Sequence, residues 1–538
     1  MRVRRVAAWT TAALVVAFGA SACTGGDDVP ADTIVVGLAE PAHLIPSNTV
    51  EPNGAQVLAA LFTPLVGFDA EHRPVPLAAE SVESEDNLEW TVRLKPDFTF
   101  HNGEKVTADS YVNAWNHAAY GPNGQAGGYL FEKVDGYADL QKIDPDGPDG
   151  ERPAAEPKAR TLTGLAKVDD LTFTVRLSAP FAEFPSVLGH RAFLPLPASA
   201  WQAEGVLKPD FEQAVVGQGP FRLKGTWQRG APIEVERYDA YPAEKPRLRG
   251  VQFRVYDQLS AGLADVTDGE TDLIRNIPAA SVDAAQEALG DRLRNGANSA
   301  YQFLAFPTYE PEFASPEVRR AISMAIDRDA VDGSGDQQAP ARSFVSPLVA
   351  GARPDTCGEA CVFDAAKARA AYEAAKGPAA LRITFNDDGG HREWVDAVCG
   401  QLRTNLGVEC EAVAEPTYRD VLRKVDARQP VGLFRQSWSM DYPSMENYLG
   451  PLYASGGSSN YSGFSDAGFD ALLREAGRAA DQAAAITKYQ EAEALLAEQV
   501  PVLPLRFGRE SYGHSERVRN VETDAYGQID LLKIELTG

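Results

Sequence analysis

Past its first two dozen residues the sequence has no long apolar run, and no stretch reaches the ~20 residues that a membrane-crossing helix needs. Histidine is scarce: the seven present are scattered, with no pair at helical spacing, which disfavours direct capture of a metal such as nickel. There is no HExxH and no GxSxG, and no Ser, His and Asp arrangement stands out. Gly217-Gln218-Gly219 leads into a strand-like stretch and lacks the lysine of a phosphate loop, so a nucleotide site is excluded. Positive charge is also short, with 51 Lys and Arg against 76 Asp and Glu, for a formal charge of -25. Such a surface repels nucleic acid and anionic lipid.

What is present begins with MRVRRVAAWTTAALVVAFGASAC. Three early arginines, an apolar stretch from 6 to about 18 and a run of small residues form an export signal. Ala20-Ser21-Ala22-Cys23 resembles a bacterial lipobox without its usual leucine, which makes Cys23 the expected lipidation site; a simple secretory signal cut near Ala22 is the alternative. Residues 1–22 are then signal peptide and 23–32, rich in Gly, Asp and Pro, a lipidated tether. Removing the signal takes away three arginines and no acid, moving the formal charge from -25 to -28. The remaining ~515 residues are too many for one core, so two or three domains are expected. Four further cysteines, Cys357, Cys361, Cys399 and Cys410, suit two disulfides in an oxidising compartment. Three pairings are open, and proximity favours Cys357 with Cys361 and Cys399 with Cys410.

Strand and helix signals alternate throughout, as in a mixed α/β protein. TIVVGL (33–38) is a compact apolar strand, and LEWTVRL (88–94) and LTFTVRL (171–177) alternate as half-buried antiparallel strands would. FTFHNGE (98–104) reads as a strand entering an Asn-Gly turn. Thr107 and Ser315 are helix caps, the latter followed by Pro316 at the first helical position. PDGPDGERPAAEPK, 145–158, is a surface excursion. LRITF (381–385), a helical run with Trp394, Val395 and Val398 on one side, and VECEAV (408–413) form a parallel crossover unit. Ser465 is expected to cap a helix beginning near Phe469, and 485–498 is a further amphipathic helix.

Five stretches then stand in a telling order: WTVRLKPDFTFHNGEKVTADSYVNAW (90–115), LTFTVRLSAPFAEFPSVL (171–188), VGQGPFRLKGTW (216–227), SPEVRRAISMAIDRDAV (315–331), and SWSMDYPSMENYL with NYSGFSDAGFDALLREA (437–476). Together they resemble the large peptide-type solute-binding proteins of ABC importers, the oligopeptide, dipeptide and nickel-binding group, over nearly the whole mature chain. The resemblance implies a two-lobed, periplasmic-binding-protein-like α/β fold with a hinged ligand cleft and an inserted domain. On this sequence lobe I would take 33–61, 199–301 and 503–538, the inserted domain 62–198, and lobe III 302–502. It also implies a non-enzyme without cofactor or metal. Such a protein would be a monomer held to the outer face of the cell membrane by lipidated Cys23, capturing short peptides for the permease subunits and touching no nucleic acid.

The stretch RQSWSMDYPSMENYL carries the candidate site. By composition alone, Arg435 and Asp441 could be a solvated charge pair and Trp438 a packed aromatic. The resemblance gives them other roles. Asp441 would receive the ligand's α-ammonium, Trp438 would be a flat apolar wall, and Arg435 a bidentate partner for its carboxylate. Tyr442 and Tyr129 are secondary candidates, for which core packing is the competing role. Ser439 stands where some relatives have a bridging cysteine. Pro41 falls where the first lobe can pair with peptide backbone, and a proline there cannot donate. Competing functions are the same fold binding an oligosaccharide or nickel-metallophore complex, a peptide-signal receptor, and more distantly a secreted hydrolase built on a carboxylate pair.

Overall fold

The structure is a computed structural model that describes residues 29–143, 155–331 and 338–537. The signal segment and Cys23 lie outside the described residues, as does most of the 145–158 excursion.

Strand Thr33–Leu38 runs parallel to Gly250–Val255 on one side and Leu273–Ile274 on the other. Neighbours on both edges and burial on both faces explain why its sequence is continuously apolar rather than alternating. Outward from Gly250–Val255 the sheet continues antiparallel through Ile233–Arg237 and Phe221–Leu223. Past Leu273–Ile274 come two antiparallel strands of 13 residues each, Val502–His514 and Leu293–Ala305. Leu433–Trp438, Ala380–Asn386 and Glu409–Glu415 complete the path.

Apolar residues gather in two main cores. One holds Ile34, Phe62, Trp115, Phe173 and Phe221; the other holds Phe303, Ile322, Trp394, Tyr448 and Leu505. The long strands pass between them, since Tyr512 packs in the first core and Phe507, five residues earlier, in the second. The pairing of those strands is irregular between Ala297 and Tyr301, where one body gives way to the other. Two cores joined by paired strands make a two-lobed molecule.

A separate four-stranded sheet, Ala79–Glu83, Glu89–Leu94, Thr172–Arg176 and Leu165–Asp169, flanks the first core. Trp90, Val92 and Leu94 of EWTVRL are buried and alternate with less buried neighbours, as its period of two requires. Helix Ala108–Ala119 starts at Thr107 and buries Tyr111 and Trp115 against Phe173. The glycines at 217 and 219 have a steric cause: a Cβ at either position would stand 2.0 to 2.5 Å from the backbone of Leu61. That close approach lets the Gly219 amide donate to the Leu61 carbonyl at 2.8 Å and close the end of helix Pro52–Leu61.

The crossover unit forms as the sequence indicates, with Ala380–Asn386 parallel to Glu409–Glu415 and helix Arg392–Leu406 between them. Cys399 on that helix is bonded to Cys410 on the strand, and Cys357 to Cys361, so the pairing by proximity is the one found. Ser315 Oγ accepts the Val318 amide at the start of helix Pro316–Met324. Two local expectations differ. The helix containing Phe469 is capped by Asp466, whose carboxylate takes the Phe469 amide at 2.8 Å, one residue beyond Ser465. FTFHNGE forms only an isolated bridge, Thr99 with Lys105, because the chain turns at Gly103 before a ladder can extend.

The lobes also touch away from the long strands. The Ala182 amide donates to the Gly477 carbonyl at 3.0 Å, and Asn87 Nδ2 donates to the Ala479 carbonyl at 2.6 Å.

Candidate functional site

Strand Leu433–Trp438 lies between Ala380–Asn386, to which it is parallel, and Leu293–Ala305, to which it is antiparallel, pairing Leu304 with Arg435 and Tyr301 with Trp438. Alternation sends Arg435 and Trp438, three residues apart, to opposite faces. After Trp438 the chain turns, and its own side chains pin the turn. The Asp441 amide donates to Asn447 Oδ1 at 2.7 Å, and the Glu446 amide to Ser444 Oγ at 3.1 Å, at the start of helix Glu446–Tyr453. Asn447 is buried and its amide leans toward Asp441 Oδ2 at 3.4 Å. Asp441 is thereby fixed at the edge of the second lobe.

Facing it, from beside the first core, is the short turn Gly128–Phe131. A Cβ at Gly128 would stand 2.6 Å from the Ala118 carbonyl, so glycine lets the turn sit against the preceding helix. Tyr129 then projects outward, its side chain 46% exposed, and donates its hydroxyl to Asp441 Oδ1 at 2.5 Å. Burial pushes the Asp441 carboxyl above its ordinary range, while the hydrogen bonds from Tyr129 and Asn447 and the positive charge of Arg191 pull the other way. Arg191 is held by donating Nε to the Thr49 carbonyl at 2.6 Å. Asp441 is thus a poorly hydrated carboxylate with donors from both lobes, a setting that strengthens a charge-assisted hydrogen bond to an incoming cation.

Tyr129, Trp438, Asp441 and Tyr442 line one cavity together with Lys133 and Glu446. Trp438 is half-buried, and its indole Nε1 is shielded from solvent without a partner among the described residues, which leaves a donor for a ligand carbonyl. Tyr442, although it lines the cavity, is 4% exposed, packs into the first core and gives its hydroxyl hydrogen to Glu446. The expectation of core packing fails for Tyr129, whose ring reaches across the gap.

Arg435 does not line that cavity. Its guanidinium stacks over Tyr418 at 5.3 Å, and its buried Nε has no partner among the described residues. Burial lowers its pKa, partly offset by Tyr418 and Asp388. His391, buried nearby, is pushed down to about 4 by burial and by the charges of Arg435 and Arg506, so it is neutral near pH 7. Its Nδ1 takes the Trp394 indole hydrogen at 3.2 Å. The Asp441 carboxylate therefore lines the cavity, and the Arg435 guanidinium lies outside it against Tyr418. The segment around Pro41 offers no open ladder: Arg229 holds the Pro41 and Ala42 carbonyls, and Glu51 and Glu212 take the Ala42 and Leu44 amides.

Sequence reasoning missed Asn447, Lys133, Glu446, Arg191 and His391. Asn447 and Glu446 stand within the quoted stretch, but only the turn brings them back onto Asp441. Lys133 and Arg191 lie hundreds of residues from it, and no spacing rule reaches them.

No helix among the described residues is long and apolar enough to cross a membrane. Residues 73–460 match the model of the bacterial extracellular solute-binding proteins, family 5 middle region. The chain is 24% identical to the dipeptide-binding protein DppE of Bacillus subtilis over 499 residues, covering 88% of this chain and 86% of the relative. It is 26% identical to the periplasmic murein peptide-binding protein MppA of Escherichia coli over 482 residues, covering 87% and 86%. To the probable deoxycholate-binding periplasmic protein YgiS of Escherichia coli it is 25% identical over 512 residues, covering 89% and 90%. Among solved structures, the unliganded open form of MppA aligns with a TM-score of 0.81 at 22% identity, covering 94% of this chain and 97% of that one. Haemophilus influenzae OppA in complex with RPPGFSPFR aligns at 0.66 and 21%, covering 94% and 99%. These relatives are binding proteins rather than enzymes, and the chain belongs to family 5 of the bacterial extracellular solute-binding proteins.

Proposed function

We propose that this protein is the extracytoplasmic receptor of an ABC importer that captures short peptides with a free amino end. Lipid on Cys23 holds it to the outer face of the membrane, and it hands its ligand to the permease subunits. Lobe I takes 33–61, 199–301 and 503–538, the insert 62–198, and lobe III 302–502. The observation that carries the reading is the meeting of Tyr129 of the insert and Asp441 of lobe III, 2.5 Å apart, in a cavity walled by Trp438. An ammonium there meets a desolvated carboxylate, a phenol oxygen and an aromatic face.

Arg435, on the other face of the same strand and outside that cavity, is the candidate partner for the ligand's carboxylate. The relatives named for dipeptide and murein peptide binding support this class. Mass spectrometry of whatever co-purifies with the soluble mature protein, released by denaturation, tests it. A mixture of short peptides on wild type, and few on Asp441→Ala, supports the reading; a single non-peptide solute on both overturns it.

A further inference from the structure

The cavity around Asp441 already contains a cation of the protein's own. Lys133 follows the turn that carries Tyr129, and its Nζ lies 3.2 Å from Glu446 Oε1 and 4.6 Å from the centre of the Phe181 ring. The other oxygen of Glu446 takes the Tyr442 hydroxyl hydrogen, so both oxygens of that carboxylate are engaged from within. Glu132, exposed at the mouth, is the third acid of the lining beside Asp441 and Glu446. Much of the remaining wall is apolar, with Leu130, Phe184, Val187 and Pro451 beside Phe181 and Trp438, and Asn447 and Ser458 add polar groups. About 50 Å³ is left free.

An ammonium bound to Asp441 carries its Cα about 1.5 Å away, so the first side chain of the ligand must enter this space. We propose that Lys133 sets the charge preference of the first side-chain subsite, which takes an uncharged residue and rejects lysine or arginine. This rests on Asp441 being the ammonium acceptor. With Lys133 on Glu446 and the ligand ammonium on Asp441, both of those acids already have a cation, and a further cationic side chain meets the like charge of Lys133. Rejection of this kind comes from a like charge placed against the wrong ligand rather than from a better contact with the right one. Removing Lys133 leaves Glu446 with an unmatched charge in a nearly dry wall, which a ligand lysine can then meet.

The test is calorimetric titration of Ala-Ala-Ala and Lys-Ala-Ala into ligand-stripped protein. Wild type is expected to prefer Ala-Ala-Ala by about tenfold or more, and Lys133→Met to bring the two within about threefold or reverse them. Lys133→Arg keeps the cation and keeps the preference, and Lys133→Gln replaces the Met variant if that one fails to fold. Equal binding of both peptides to wild type, or an unchanged ratio without the lysine cation, overturns the inference while leaving the peptide reading intact. Binding of neither peptide to wild type overturns both.

Discussion

Tyr129 and Asp441 are 312 residues apart in sequence and 2.5 Å apart in space, phenol donating to carboxylate across the gap between the lobes. Only one oxygen of Asp441 is firmly engaged, since Asn447 approaches the other at 3.4 Å, so acceptor sites remain for an ammonium. Asp441→Asn, which keeps the shape and removes the charge, is expected to weaken a short peptide by at least about 2 kcal/mol, roughly thirtyfold. Tyr129→Phe loses one hydrogen bond to a charged group and should weaken it by about 1.5 kcal/mol, near tenfold. Calorimetry on both variants with tri-alanine checks the order, and a Tyr129→Phe loss equal to that of Asp441→Asn would contradict it.

Gly477 lets the backbones of the two lobes meet. A Cβ there would stand 2.5 Å from the Pro180 carbonyl, beside the Ala182 amide that donates to Gly477 itself. Gly477→Ala should push 180–186 away from the second lobe at a cost of about 1–3 kcal/mol. Hydrogen exchange mass spectrometry should show peptides covering 180–186 exchanging faster, with the crossover unit at 380–415 unchanged. Unaltered protection at 180–186 would mean that the contact carries no load.

These pairs also mark how far the sequence was legible. Strand TIVVGL, the crossover unit and the caps at Thr107 and Ser315 rest on local patterns of two to four residues, and they formed where the patterns put them. Trp438 and Asp441 were visible because one short stretch carries both. Tyr129 was named as a secondary candidate through the resemblance, but Lys133 and Arg191 come near Asp441 only through long-range packing that no local periodicity encodes. Cap choice fails at smaller scale: at 465–466 two capping residues stand side by side, and Asp466 wins through a charged acceptor at 2.8 Å from the Phe469 amide.

Glu183 is expected to make the contact with the second core depend on pH. It is buried, facing Ser444, Glu446, Gln482 and Tyr489, with Ser186 Oγ donating to it at 3.1 Å. Burial raises its pKa from 4.5 to about 7, and the neighbouring Glu446 carboxylate adds to the rise. A carboxyl raised in the folded state contributes stability that is complete below pH 4.5 and is lost as pH climbs through about 7. The contribution is on the order of 3 kcal/mol. Glu183→Gln, always neutral, should lose that dependence: wild type melts lower at pH 8 than at pH 5, and the variant narrows the difference. Parallel melting curves for the two proteins would show that Glu183 does not titrate there.

Arg435, if it is the carboxylate partner, should distinguish a ligand with a free carboxylate from one without. Its Nε is buried with no partner among the described residues, its guanidinium rests on Tyr418, and its neighbour His391 is neutral and cannot replace its charge. A guanidinium held this way presents a planar fork that a lysine ammonium cannot reproduce. Arg435→Lys should therefore weaken a free tetrapeptide by about 1.5–3 kcal/mol, roughly ten- to hundredfold, while leaving its C-terminal amide almost unchanged. Calorimetry with the acid and the amide, on wild type and variant, separates the two contributions because the amide removes the charge without removing the backbone. If the variant weakens acid and amide alike, Arg435 acts by packing on Tyr418, and the ligand's carboxyl end lies elsewhere in the cleft.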